Sequence, residues 1–177
     1  ENGYPRTYVP VADGDGDLFA RMRENLVKGN VLATNGPFIR LLANGQGPGS
    51  FLTDPDGTLN ILLESRAAPW VDVRSIVVFD GEFFTKQFLL PPSNEIRRYP
   101  TGPLASPEFV IPLDHDVIIS ATAVGQRSLN PVAVEDDRYD FLTSPYALTG
   151  PIFVDADGDG KCTPPGPLEE IPEYDVF

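Results

Sequence analysis

Apolar and polar residues alternate along much of this chain, in short runs that turn residues separate. Alternation places successive side chains on opposite faces of a strand, so these runs indicate half-buried β-strands. About seven or eight short strands at this spacing predict a mainly β fold, an immunoglobulin- or fibronectin-like antiparallel sandwich. The predicted strands are 31–34, 37–43, 58–64, 71–79, 82–90, 108–113, 116–124 and 146–154.

One segment before the strands has the helical period instead. Leu18, Met22 and Leu26 recur at intervals of four residues, and Gly29 follows where a left-handed C-cap is expected. The pattern predicts an N-terminal amphipathic helix over residues 16–28, whose apolar stripe packs on the sandwich or on a partner surface.

The chain therefore divides into three parts. Residues 1–30 are predicted to form an N-terminal segment and helix that continue from a longer protein, and 31–160 the β-sandwich domain. Residues 161–177 form a Pro-rich, acidic tail that is expected to lie over the surface.

Charge and composition narrow the functional classes. The 177 residues carry 26 acids and 13 bases, a net charge of −13, which argues against binding to nucleic acid or anionic membranes. No apolar run reaches the length of about 18 residues that a membrane-spanning helix needs. The single cysteine excludes an internal disulfide, and the single histidine excludes a site with several imidazoles. The expected location is extracellular or periplasmic in a bacterium, with the cytoplasm as the alternative.

The most specific candidate for a functional site is the acidic loop at 155–160, with the sequence DADGDG. Asp155, Asp157 and Asp159 offer oxygen ligands at alternate positions around a turn, as Ca²⁺ prefers. An EF-hand loop would have a bidentate glutamate where Gly166 stands, so Glu169 or Glu170 of the tail would have to replace it. The alternative is an acidic surface turn whose charges are solvated.

Three other features have plainer interpretations. Asp13, Asp15 and Asp17 repeat the acidic spacing, but helix capping explains them without a metal. The sequence Asp114-His115-Asp116 could join a divalent metal site, but a surface turn is the preferred interpretation. Cys162 lacks the neighbouring base that a nucleophile needs.

The aromatic residues are explained more simply by packing than by ligand binding. Trp70 could stack on a sugar, although packing at the core or its rim is the simpler interpretation. The strong turn at Asp80-Gly81 predicts a hairpin, and the phenylalanines around it are interpreted as cross-strand core pairs: Phe79, Phe83, Phe84 and Phe88.

Several segments, in order, resemble a known family. GYPRTYVPV, LFARMRENLVKG and NVLATNGPFIRLL are followed by APWVDVRSIVVFDGE and YALTGPIFVDADGDGK. Together they resemble the region that follows the catalytic domain in PHP-type metallohydrolases (the polymerase and histidinol phosphatase superfamily), in the carbaryl and carbofuran hydrolase branch. The resemblance spans residues 3–162, and its most specific pieces are residues 34–37 and 149–155.

The resemblance implies an accessory role. Family members hydrolyse substrates at a metal centre in a β/α barrel, built from several histidines that this chain lacks, so no catalytic residue is assigned. The first hypothesis is a non-catalytic C-terminal domain of a PHP-like metal-dependent phosphoesterase or hydrolase, which packs on the upstream catalytic domain and is stiffened by calcium. Residues 1–30 would then link it to that catalytic domain, which is absent from this sequence.

Two alternatives stay open. The chain could be an independent secreted module that binds a glycan or a protein through Trp70 and the loops at 44–50 and 91–107. It could also be a hydrolase that uses only carboxylates, although no spacing identifies a catalytic pair.

Overall fold

The computed structural model describes residues 5–12, 16–53, 57–68, 70–81, 108–125, 129 and 144–165, and the backbone of 83–89. In this part of the chain the fold is mainly β, with two sheets and one helix, which confirms the predicted fold class. No helix among these residues is long and apolar enough to cross a membrane.

The described residues form one helix, α1 (Leu18–Lys28), and eleven strands. The strands are β1 (Arg6–Tyr8), β2 (Leu32–Thr34), β3 (Phe38–Ala43), β4 (Phe51–Thr53), β5 (Thr58–Arg66), β6 (Ser75–Asp80), β7 (Phe83–Leu89), β8 (Glu108–Pro112), β9 (Val117–Val124), β10 (Tyr146–Thr149) and β11 (Ile152–Asp155).

The strands form a small sheet and a large sheet. The small sheet contains β3, β5 and β8, which pair in that order. In the eight-stranded large sheet β9 is central, with β6 on one edge and with β10 and β11 end to end along the other. Beyond these lie β7 next to β6, β2 and β1 next to β10, and β4 next to β11. Only β4 and β11 pair in parallel among the described strands.

The core lies between the two sheets and follows from strand alternation. In β5 Leu59, Ile61 and Leu63 are buried while the residues between them face outward, and β9 buries every second residue in the same way. The buried cluster joins both sheets, with Ile39, Leu41, Ile111, Ile76, Val78, Ile119, Ala121, Ile152 and Val154 among its members.

Most predicted strands are confirmed, with three differences. Residues 71–74 precede β6 as an irregular segment, in which the Val71 N–H bonds back to the Ala68 carbonyl. The predicted strand at 146–154 is divided by Gly150 and Pro151 into β10 and β11, since proline cannot donate to a ladder. β1 and β4 were not predicted, because three-residue strands carry too little pattern.

The helix begins and ends as its capping residues require. Asp17 is the N-cap and accepts a 2.9 Å bond from the Phe19 N–H, and Gly29 is the left-handed C-cap. The apolar stripe is not buried on the sandwich, and its packing on a partner surface stays a prediction. None of the helical residues is buried, and Leu18 and Leu26 are about half exposed while Met22 is partly covered.

Candidate metal centre

A cluster of carboxylates lies at one end of the large sheet. Asp155 ends β11 and Asp116 immediately precedes β9, and these strands pair so that Val154 lies opposite Val117. The two aspartates are therefore neighbours on the outer side of the sheet. Carboxylate oxygens of Asp116, Asp155 and Asp157 lie within 4.8 Å of one another.

Asp155 organises the loop that follows it. Its side chain is 0% exposed, and Oδ1 accepts a 2.7 Å bond from the Gly158 N–H while Oδ2 accepts a 2.9 Å bond from the Gly160 N–H. Oδ2 also accepts a 3.3 Å bond from the Thr53 hydroxyl of β4. Both glycines have positive φ, which lets the loop turn back over the carboxylate.

Asp116 closes the same loop from the other side. Its side chain is buried, and it accepts bonds from the Thr163 N–H at 2.6 Å and the Ala156 N–H at 2.8 Å. These backbone donors lower the pKa of Asp116 against the opposing effect of burial, so the carboxylate stays ionised.

The carboxylate cluster and the predicted ligand set overlap in part. Asp155 and Asp157 lie in the cluster, whereas Asp159 is exposed, lies outside it, and accepts a bond from the Lys161 N–H. Asp116, which the sequence placed in a surface turn, is the third member. The possible contributors Glu169 and Glu170 lie outside the described residues.

Sequence reasoning did not select Asp116, because its position beside Asp155 depends on strand register. It is 39 positions before Asp155, and only the pairing of β9 with β11 brings the two together. The available signal was an aspartate directly before a buried strand, which is too common to select it.

The donor set is suited to a hard cation. All three side chains offer oxygen, which Ca²⁺ prefers over the nitrogen and sulfur ligands typical of Zn²⁺. Two of the three are buried and fixed by backbone bonds, so they are already positioned.

The neighbouring cysteine is not an activated nucleophile. The Cys162 thiol is half-buried and donates to the Val117 carbonyl across 3.5 Å. Burial raises the pKa of Cys162, and the charges of Asp116 and Asp155 raise it further. The thiolate is therefore disfavoured, as expected for a cysteine without a neighbouring base.

The remaining candidates are dispersed. His115 is exposed and contacts the carboxylate of Asp114 in the turn before β9. Trp70 is 55% exposed, which places it on the surface and not in the core, and Phe79 is half-buried. The loop at 44–50 forms a tight turn next to β3, whereas the loop at 91–107 and the side chains of Phe83, Phe84 and Phe88 lie outside the described residues.

No protein-family model matches the chain, and no curated protein matches it significantly.

Proposed function

We propose that this chain is a non-catalytic accessory domain of a PHP-like, metal-dependent phosphoesterase or related hydrolase, and that it packs on the upstream catalytic domain through the outer face of the large sheet. The family assignment rests on the resemblance of the sequence segments. The docking role rests on the character of that outer face.

The outer face is apolar and carries no charge over most of its described area. Strand alternation assigns its described members, which are Thr7, Ala33, Phe51, Thr53, Ser75, Val77, Phe79, Ile118, Ser120, Thr122, Val124, Tyr146, Leu148, Phe153 and, at one end, Asp155. Phe51, Val124 and Leu148 are exposed, whereas Val77 is buried. In a chain with a net charge of −13, an uncharged apolar face of this kind is typical of an interaction surface.

The outer face of the small sheet has a different character. Arg40 and Glu64 form a 3.3 Å ion pair across β3 and β5, and Arg66 and Glu108 stand exposed on the same sheet. Charged and apolar residues are mixed there, as on an ordinary solvated surface. The contrast between the sheets supports docking through the large one.

We also propose that Ca²⁺ stabilises the closing loop by binding Asp116, Asp155 and Asp157. Asp116 and Asp155 tie the start of β9 and the end of β11 to residues 156–163, and Asp157 lies in the same cluster. A bound cation would offset their mutual repulsion and hold the loop more firmly.

The docking proposal is tested with the domain encoded immediately upstream of residue 1. A β/α barrel with metal-ligand histidines is expected there, and the two domains should associate when they are purified separately. Leu148→Lys should abolish this association, and Val110→Lys on the small sheet is the matched control. Association that survives Leu148→Lys, or an upstream sequence without such a barrel, contradicts the proposal.

The assignment as non-catalytic is tested by assay. The 177-residue chain with Zn²⁺ or Mn²⁺ should hydrolyse neither phosphate nor carbamate esters. Turnover that chelation abolishes and metal restores would show that the chain is itself an enzyme.

The calcium proposal is tested by thermal unfolding. Ca²⁺ should raise the melting temperature of the parent chain, and Asp155→Asn with Asp157→Asn should remove that rise. Asp114→Asn changes an exposed carboxylate outside the cluster and should leave it intact. A parent chain whose melting temperature is the same in Ca²⁺ and in chelator ends this proposal.

A second candidate function has one observation in its favour. The exposed Trp70 offers an aromatic face of the kind that stacks on sugars, as an independent secreted glycan-binding module would need. Binding on a glycan array that Trp70→Ala abolishes would favour this function over the accessory role.

A further inference from the structure

Two of the described asparagines precede a glycine, at Asn35-Gly36 and at Asn44-Gly45. In such a sequence the glycine backbone nitrogen can attack the side-chain carbonyl carbon of the asparagine, because no Cβ on the glycine hinders the approach. The reaction releases ammonia, and water then opens the cyclic imide to aspartate or isoaspartate. It needs an asparagine side chain that can rotate towards the glycine nitrogen, and a glycine N–H that can lose its proton.

Asn35 is held at each group that this reaction uses. Its side-chain amide donates to the Ser144 carbonyl and accepts from the Tyr146 N–H, both at 2.7 Å. The Gly36 nitrogen, which would be the nucleophile, donates its proton to the Thr34 hydroxyl at 3.0 Å. Rotation of the Asn35 side chain would break both of its bonds at a half-buried position. The fold therefore opposes the reaction at Asn35.

Asn44 lies in an exposed two-residue turn. The turn joins Ala43 to Gln46, whose backbones exchange two 2.8 Å bonds, and both of its residues have positive φ, as a type I′ turn requires. Oδ1 of Asn44 accepts a 2.9 Å bond from the Asn60 N–H, which polarises the side-chain carbonyl for attack. Gly45 is exposed to the water or hydroxide that must remove its proton.

We propose that Asn44 is a site of spontaneous deamidation in the folded chain, and that Asn35 is protected until the chain unfolds. The Gly45 nitrogen loses its proton to water or hydroxide and bonds to Cγ of Asn44, and the bond from Cγ to Nδ2 breaks as ammonia leaves with a proton from water. Water then opens the imide at either carbonyl. Opening at the backbone carbonyl gives isoaspartate, which lengthens the turn by one methylene group. Opening at the side-chain carbonyl gives aspartate, which keeps an acceptor for the Asn60 N–H.

Peptide mapping by mass spectrometry tests the proposal, after incubation of the chain in mildly alkaline buffer. In the folded chain the peptide with Asn44 should deamidate several-fold faster than the peptide with Asn35. In guanidinium chloride the rate at Asn35 should rise towards the rate at Asn44. Asn44→Gln is the control, because glutamine cyclises far more slowly, and it should remove the signal at position 44 alone. A third such sequence, at residues 2–3, lies outside the described residues and is followed as a separate peptide.

Three results overturn the proposal. The first is an equal rate at Asn35 and Asn44 in a chain that circular dichroism shows to be folded. The second is an Asn44 that reacts only in guanidinium chloride. The third is an Asn35 that stays slow in guanidinium chloride, which would make the difference a property of the local sequence and not of the fold. The assay involves no partner domain, cation or turnover, so its outcome is independent of the accessory role.

Discussion

At the scale of single residues, the largest predicted loss of stability concerns the ion pair between Asp72 and Arg74. Asp72 is buried, its Oδ2 accepts a 2.7 Å bond from Arg74 Nε, and its Oδ1 has no partner among the described residues. Arg74→Ala should destabilise the chain by about 3–5 kcal/mol, because it leaves a buried charge unpaired. Chemical denaturation measures this, and Arg66→Ala, which removes an exposed arginine, should change stability by less than about 0.5 kcal/mol.

The lowered pKa of Asp116 predicts how the stability of the folded chain depends on pH. Its pKa in the folded chain is lowered, so its ionised form stabilises the fold above the ordinary value of 3.8. That contribution is lost as pH falls below 3.8 and through the lower folded pKa. In urea titrations between pH 5 and pH 2, Asp116→Asn should show a smaller loss of stability than the parent. Parallel pH curves for the two proteins would refute this.

At the scale of elements, Asn35 joins the turn after β2 to the start of β10. Its side-chain amide donates to the Ser144 carbonyl and accepts from the Tyr146 N–H, both at 2.7 Å. Asn35→Asp removes the donor and sets a carboxylate against a carbonyl, so a loss of about 1–3 kcal/mol is expected. Gln46→Glu, at an exposed position in the turn after β3, is the control for the added charge. Equal losses in the two variants would show that charge alone is responsible.

The break between β10 and β11 brings the backbone of Gly150 close to the backbone of Gly29. A Cβ on Gly150 would lie 1.7 Å from the Gly29 carbonyl oxygen, and neither backbone can move freely. Gly150→Ala should therefore cost about 3 kcal/mol or more, as measured by thermal unfolding. Gly47→Ala is a matched control, because its nearest side-chain atom would be Leu42 Cδ2 at 3.7 Å. A nearly unchanged melting temperature for Gly150→Ala would mean that this junction is looser than described.

At the scale of the whole molecule, charge opposes folding. A net charge of −13 on 177 residues repels itself in the compact state, and salt screens this repulsion. Raising NaCl from about 20 mM to 500 mM, where the Debye length falls from above 10 Å to below it, should raise the melting temperature in the presence of chelator. A melting temperature that falls with salt would mean that the favourable ion pairs outweigh the excess of acids.

The structure also shows where sequence patterns stop being informative. Strong alternation predicted β5 and β9, and the capping residues around α1 placed its ends to within two residues. The parallel pairing of β4 with β11 could not be predicted, since β4 is three residues long and its partner lies about 100 residues later in the chain. The candidate metal centre was half predicted for the same reason, because Asp116 joins it only through the register of β9 and β11.

The sequence by itself determined the mainly β class, the position of the helix, and the acidic loop after the last strand, because these follow from neighbours within a few residues. Tertiary structure alone decided that Asp116, and not Asp159, lies beside Asp155 and Asp157, that the helix leaves its apolar side exposed, and that the described outer face of the large sheet is uncharged away from this cluster. Those features depend on contacts between segments that are distant in sequence. The free energy of these contacts is distributed over the whole core, so no local sequence pattern reveals them.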